Sequence, residues 1–203
     1  MTDFVWPADL APSSVSFYLQ HYTGGTESPF NRQRKTYVLG RSRWVARFEF
    51  VGGAQGEGLA GKGAAIDAFL AQVGGGANRV LTHDWRRPTR SGPATGVGTN
   101  SPAAKGATSM TWIGLQANTL AFRRGDYVGG DGRAHIVTAD VLTTAGGVAM
   151  VPFVPPLETA IAAGAGTYTE VKSRFEIRDD DAGANAAAFG DAERITVEMF
   201  EDL

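Results

Sequence analysis

Glycine fills 27 of the 203 positions. That is roughly twice the usual ~7% share, and it follows no collagen-like period, so the chain must be built from short strands and many tight turns. Cysteine is absent, which excludes a disulfide scaffold, a Cys-ligated zinc or iron–sulfur site and a thiol nucleophile. The length suits one domain or two small ones with a real core. A charged fraction of 20% and a net charge of −2 fit neither a disordered chain nor a strongly basic nucleic-acid binder. Gly, Pro or charge interrupts every apolar run before the ~18–20 residues a membrane helix needs. Met1-Thr2-Asp3-Phe4 places an acid where a signal peptide carries Lys or Arg. The expectation is a soluble protein made in the cytoplasm, with no membrane partner.

After a Pro-punctuated lead-in (Pro7, Pro12), residues 15–22 alternate, with Val15, Phe17 and Leu19 on one face, the period of a half-buried strand. Residues 23–31 carry Gly24-Gly25 and Pro29 and read as a loop. Alternation resumes over 35–39 and 44–51, where Trp44, Ala46, Phe48 and Phe50 share a face opposite Arg47 and Glu49, as in antiparallel sheets with one wet side. Ile66, Phe69, Leu70 and Val73 then fall at helical spacing, and Gly74-Gly75-Gly76 stops the pattern, predicting a helix over about 62–73. A short strand at 79–82 leads into Gly/Pro/Thr-rich sequence.

From about 93 to 167 the chain is rich in Ala, Gly, Thr and Val. Strand candidates at 108–115, 126–128, 134–141 and 148–151 are separated by turn signals such as Gly129-Gly130-Asp131-Gly132 and Gly146-Gly147, which suggests a small barrel or sandwich. Residues 168–177 and 193–200 return to alternation, with Val171, Phe175, Ile177, Ile195, Val197 and Met199 predicted inward. The fold expected is mainly β: a discontinuous sandwich or barrel domain with one helix, residues 1–92 and 168–203, plus an inserted small all-β, OB-like domain at 93–167. Residues 1–92 hold 11 Lys and Arg against 7 Asp and Glu (+4), and 93–203 hold 8 against 14 (−6). Opposed charge of this kind suits head-to-tail assembly into a ring, and equally the solvated faces of a monomer.

Nothing in the sequence composes a catalytic set, and no enzyme activity or cofactor is expected. Gly56-Glu57-Gly58-Leu59-Ala60-Gly61-Lys62-Gly63 imitates both a dinucleotide fingerprint and a phosphate loop. Its preceding strand, however, has a wet face, and Gly63 stands where magnesium needs a Ser or Thr hydroxyl. His21, His83 and His135 form no ligand pair, and Asp179-Asp180-Asp181 lacks the alternating spacing of a calcium loop, so no metal site is predicted. The basic run Arg32, Arg34, Lys35, Arg41, Arg43 and Arg47, interleaved with Tyr37 and Trp44, has the ingredients of a phosphate-tracking surface. Set in a net-negative chain and broken by Gly40, it predicts no specific nucleic-acid partner.

Several segments taken in order resemble the distal tail proteins (Dit family) of long-tailed, siphovirus-type bacteriophages and gene-transfer-agent particles. These are Trp6-Pro7 with Pro12-Ser13-Ser14-Val15-Ser16-Phe17-Tyr18-Leu19, the loop Ser28-Pro29-Phe30-Asn31-Arg32-Gln33-Arg34, and the helix Ala65-Ile66-Asp67-Ala68-Phe69-Leu70. In the middle, Arg124-Gly125-Asp126-Tyr127-Val128, His135-Ile136-Val137-Thr138-Ala139-Asp140 and Pro155-Pro156-Leu157 look like the family's inserted domain. Arg174-Phe175-Glu176-Ile177 and the ending Phe200-Glu201-Asp202-Leu203 fit its closing strands. The connection over 52–63 is richer in glycine than the family pattern, and His83-Asp84-Trp85 replaces a Gly-Asp-Pro-like turn.

The resemblance implies a structural virion protein that assembles in the host cytoplasm as a homohexameric ring at the tail tip. Its implied partners are further copies of itself, the tail tube protein, the tape measure protein and the baseplate hub protein. The interface candidates are the 23–31 loop and the basic residues after it, Arg32, Arg34 and Lys35. The alternative is a carbohydrate-binding module in which the inserted domain presents Trp112, Phe122 or Tyr127 to host surface glycans, against the plainer possibility that these aromatics pack in its core.

Overall fold

In the computed structural model the described residues are 1–51, 62–182 and 194–203. They form β1 (Asp3–Val5), β2 (Ser14–Gln20), β3 (Thr23–Glu27), β4 (Arg34–Val38), β5 (Arg43–Val51), α1 (Lys62–Val73) and β6 (Arg79–Thr82). There follow β7 (Thr99–Asn100), β8 (Ser109–Ile113), β9 (Leu120–Phe122), β10 (Tyr127–Gly129), β11 (Ala134–Val137), β12 (Val141–Leu142), β13 (Ala149–Val154), β14 (Ser173–Glu176) and β15 (Arg194–Glu201). The fold is mainly β: a mixed six-stranded sheet in the order β1-β6-β14-β15-β5-β2, and a separate curled five-stranded antiparallel sheet in the order β10-β11-β13-β8-β7. The two remaining sheets are the ribbons β12-β9 and β3-β4.

The chain divides into two compact units, the first comprising Met1–Thr2, Pro12–Arg79 and Phe175–Leu203, the second Asp3–Ala11 and Val80–Arg174. The expected insertion, 93–167, lies inside the second. In the first unit β5 pairs antiparallel with β2 on one side and β15 on the other. The alternation read from sequence becomes two faces: Trp44, Ala46, Phe48 and Phe50 are buried with Ile195, Val197 and Met199, and Arg47 lies exposed opposite Glu198. Phe17 of β2 stacks on Trp44 at 5.0 Å between ring centroids and meets Phe175 edge-on at 5.8 Å, each such side chain contributing about 1.5–3 kcal/mol by burial. The Trp44 amide donates to Glu201 Oε2 at 2.8 Å, so the buried carboxylate closes the end of this core.

Helix α1 buries Ile66, Phe69 and Val73 and leaves Leu70 partly exposed. Its stop is the predicted one. Gly74 takes φ 68° and ψ 47°, and its N–H donates to the Leu70 carbonyl at 3.0 Å, a left-handed cap that disfavours any side chain. Gly74→Ala is therefore expected to lower stability by about 1–2 kcal/mol, read as a drop of a few degrees in a thermal melt. Arg79, 8% exposed, then clasps the end of the unit, donating to Asp202 Oδ2 at 2.7 Å and to the Gly76 carbonyl at 2.9 Å.

In the second unit the curled sheet encloses Met110, Trp112, Val137, Val151 and Phe153 together with Phe122 and Leu157. Along β13 the alternation is clean, with Ala149, Val151 and Phe153 inside and Met150 and Val154 outside. The strand expected over 134–141 is two strands, β11 and β12, that join different sheets. Strands β1, β7 and β9 span two or three residues each, too short for a period to show in sequence.

One expectation is overturned. The segment read as a loop, 23–31, contains strand β3, which pairs with β4 in the register Thr23↔Val38 to Glu27↔Arg34. Glycine signals a turn when nothing lies across it. Here the Tyr37 ring sits over Gly24 so closely that a Cβ would meet it at 2.8 Å, so the bare backbone serves cross-strand packing.

Candidate functional site

The β3–β4 hairpin is exposed along almost its whole length. A two-stranded ribbon is marginal in water unless something packs on it, and among the described residues neither of its outer edges pairs with a further strand. Its tip, residues 28–33, is built locally. The Ser28 amide donates to the Gln33 carbonyl, the Arg32 amide to the Ser28 carbonyl, both at 2.9 Å, and Asn31 Oδ1 accepts from the Gln33 amide at 3.1 Å. Arg32 takes φ 55°, a strained backbone for a residue with a side chain. This tip lifts Phe30 to 96% exposure.

Apolar and basic side chains share this ribbon. Tyr22, Tyr37, Val38 and Leu39 are exposed beside it, and Arg32, Arg34, Lys35 and Arg41 are exposed among them. Opposite Arg34 stands Glu27. The sequence-predicted interface residues are thus brought onto one arm: Arg32 at the tip, Arg34 and Lys35 at the start of its second strand. Phe30 and Val38 belong to the same surface and were not singled out from sequence: Phe30 fell in an assumed loop, and Val38 in a strand expected over 35–39 to have one buried face, whereas β4 is exposed at every position.

The aromatics considered for sugar stacking lie elsewhere. Trp112, Phe122 and Tyr127 are 1%, 0% and 5% exposed, and Trp112 and Phe122 pack against the Tyr168 ring at 5.0 and 5.8 Å. They fill the core of the second unit, so none offers a ring face at the surface. The Tyr127 hydroxyl donates to Asp84 Oδ2 at 3.0 Å. Burial, and then the Asp84 charge, push this phenol well above its ordinary pKa. Asp84 is 2% exposed and accepts a bidentate pair from Arg86 Nε and Nη2, both at 2.9 Å, a strong charge-assisted geometry.

His21 is exposed and shares a hydrogen bond of 2.9 Å with Ser42 Oγ. His135 is fully buried in β11, its Nδ1 2.6 Å from the Pro155 carbonyl and its Nε2 2.9 Å from Asp131 Oδ1. Asp131 Oδ2 also accepts from the Glu158 amide at 2.9 Å. Burial works to raise the Asp131 pKa, yet the hydrogen bond and charge of His135 and the backbone donors hold it below the usual value. Asp179-Asp180-Asp181 is an exposed turn in which Asp179 accepts from the Asp181 amide. The glycine-rich segment 56–61 lies outside the described residues.

Among protein-family models none matches the chain, and the search of curated proteins gives no significant match. No described helix is long and apolar enough to cross a membrane.

Proposed function

We propose that this chain is a structural subunit of a phage-type tail, a distal tail protein that closes a six-fold ring between the tail tube and the baseplate hub. The observation that carries the reading is the exposed β3–β4 arm, which joins large apolar side chains to Arg32, Arg34 and Lys35 and has no buried residue in either strand. A monomer gains nothing from such an arm. A ring subunit does, because a head-to-tail contact repeated by rotation buries every arm on the next copy. The receiving surface we favour is β2, among the described residues an edge strand of the six-stranded sheet, where an incoming strand would extend the sheet.

The chain's remaining partners in this reading are the tail tube, tape measure and hub proteins, and its location is the tail tip of the particle. The family resemblance and the mainly β fold support it as well. The test is negative-stain microscopy of the purified chain, with its mass measured by light scattering. Rings of about six copies are expected. A monodisperse monomer at every concentration overturns the reading.

A further inference from the structure

In an antiparallel ribbon successive side chains point to opposite faces, and the β3–β4 register sorts the arm into two unlike ones. One face carries Gly24 opposite Tyr37 and Thr26 opposite Lys35, and the other carries Thr23 opposite Val38, Gly25 opposite Thr36 and Glu27 opposite Arg34. The Leu39 amide donates to the Tyr22 carbonyl at 2.9 Å, so the ladder runs one pair further and adds Tyr22 and Leu39 to the first face. Tyr37 and Leu39 lean over Gly24, where a Cβ would meet their carbons at 2.8 and 3.0 Å. Tyr22, Tyr37 and Leu39 are nevertheless 62%, 48% and 51% exposed. On the second face the Arg34 side chain crosses Gly25, where a Cβ would meet its Nε at 2.8 Å, and Val38 is the one large apolar group of that face. The arm is amphipathic.

Its apolar face has a counterpart at the edge of the six-stranded sheet. In β2, Val15, Phe17 and Leu19 stand opposite Phe48, Ala46 and Trp44 of β5, all three buried, and so point inward. Phe17 is buried as well, but Val15 and Leu19 are only half-buried, because among the described residues β2 has β5 on one side and no strand on the other. The outward row, Ser14, Ser16, Tyr18 and Gln20, is exposed. A strand added to an edge continues both faces of the sheet, and a register shifted by one residue exchanges them. Charge names the source of that strand. Residues 28–47 hold six Lys and Arg and no acid (+6), and 176–202 hold two Arg against nine Asp and Glu (−7). Both runs belong to the first unit, so a second copy carries the counter-charge for the arm.

We infer that the arm docks on a second copy with its Tyr22, Tyr37 and Leu39 face continuing the inward row of β2, so that these side chains cover Val15 and Leu19. Glu27, Arg34, Thr36 and Val38 then continue the outward row. This assignment rests on the ring reading and adds which face of the arm is covered and which row of β2 receives it.

The chain has no cysteine, so single engineered thiols report each face. Leu39→Cys and Val38→Cys alter neighbours on opposite faces of the arm, and Leu19→Cys and Tyr18→Cys form the matching pair on β2. Each variant is labelled with a maleimide, assembled and again dispersed to monomer in mild urea, with its mass read by light scattering. Assembly is expected to slow the thiols of Leu39→Cys and Leu19→Cys at least about tenfold and to leave those of Val38→Cys and Tyr18→Cys nearly unchanged, since reaction requires access to the sulfur. A ring lost in Leu39→Cys but kept in Val38→Cys, both melting like the parent, bears the inference out as well. Any other pattern overturns it and leaves the ring standing. A parent chain that stays monomeric at every concentration overturns the ring and this docking together.

Discussion

Reversing the charge of Arg32, Arg34 and Lys35 together, each to Glu, is expected to convert the ring to a monomer. All three are exposed on the arm, so a folded monomer loses little by the change, surface substitutions of this kind staying within about 0.5 kcal/mol. At an interface that buries the arm the same change puts three carboxylates where three cations stood, and their desolvation without a partner opposes the contact; every copy in a closed ring makes the contact twice. An association constant reduced at least about a hundredfold is expected, and the scattering mass should fall to that of one chain of 21.4 kDa. Phe30→Asp tests the apolar half of the arm in the same way, since Phe30 is 96% exposed and supports no internal packing. An unchanged ring in both variants removes this arm from the interface, whatever else holds the copies together.

The second large effect is internal. Asp131→Ala is expected to destabilise the chain by about 3–5 kcal/mol, because it strands a buried imidazole ring beside an unanswered amide, and to lower the melting temperature by about 10 °C. The Asp131 carboxyl has its pKa depressed in the folded chain. Its contribution is therefore complete above the unfolded value of 3.8 and is lost as pH falls through the lower folded value. His83 opens a separate window. Its folded pKa also lies below the unfolded 6.5, so from about pH 6.5 downward the unfolded chain takes up a proton that the buried ring resists, and stability falls. Melting curves across pH should show both slopes. His83→Gln should flatten the upper one alone and Asp131→Asn the lower one alone. A single slope untouched by either substitution contradicts the assignment.

Strands with a buried and a wet face were legible in the chain because period 2 writes burial directly into residue order, as in Trp44 to Phe50. The helix was legible for the same reason at period 3.6, and its end because Gly74 stands at a left-handed cap. Strand β3 was not legible. Both its faces are wet, so it has no alternation, and its glycines pointed to a turn.

By itself the sequence determined a mainly β chain with one helix between 62 and 73, an interior carried by alternating apolar residues and a basic run over 32–47. Those are local properties, set by side-chain period, turn chemistry and charge. Only the tertiary structure decided which of these side chains are available. It placed Trp112, Phe122 and Tyr127 inside a core and lifted Arg32, Arg34 and Lys35 onto an exposed ribbon. Exposure and convergence depend on contacts between distant segments, and no local pattern encodes them.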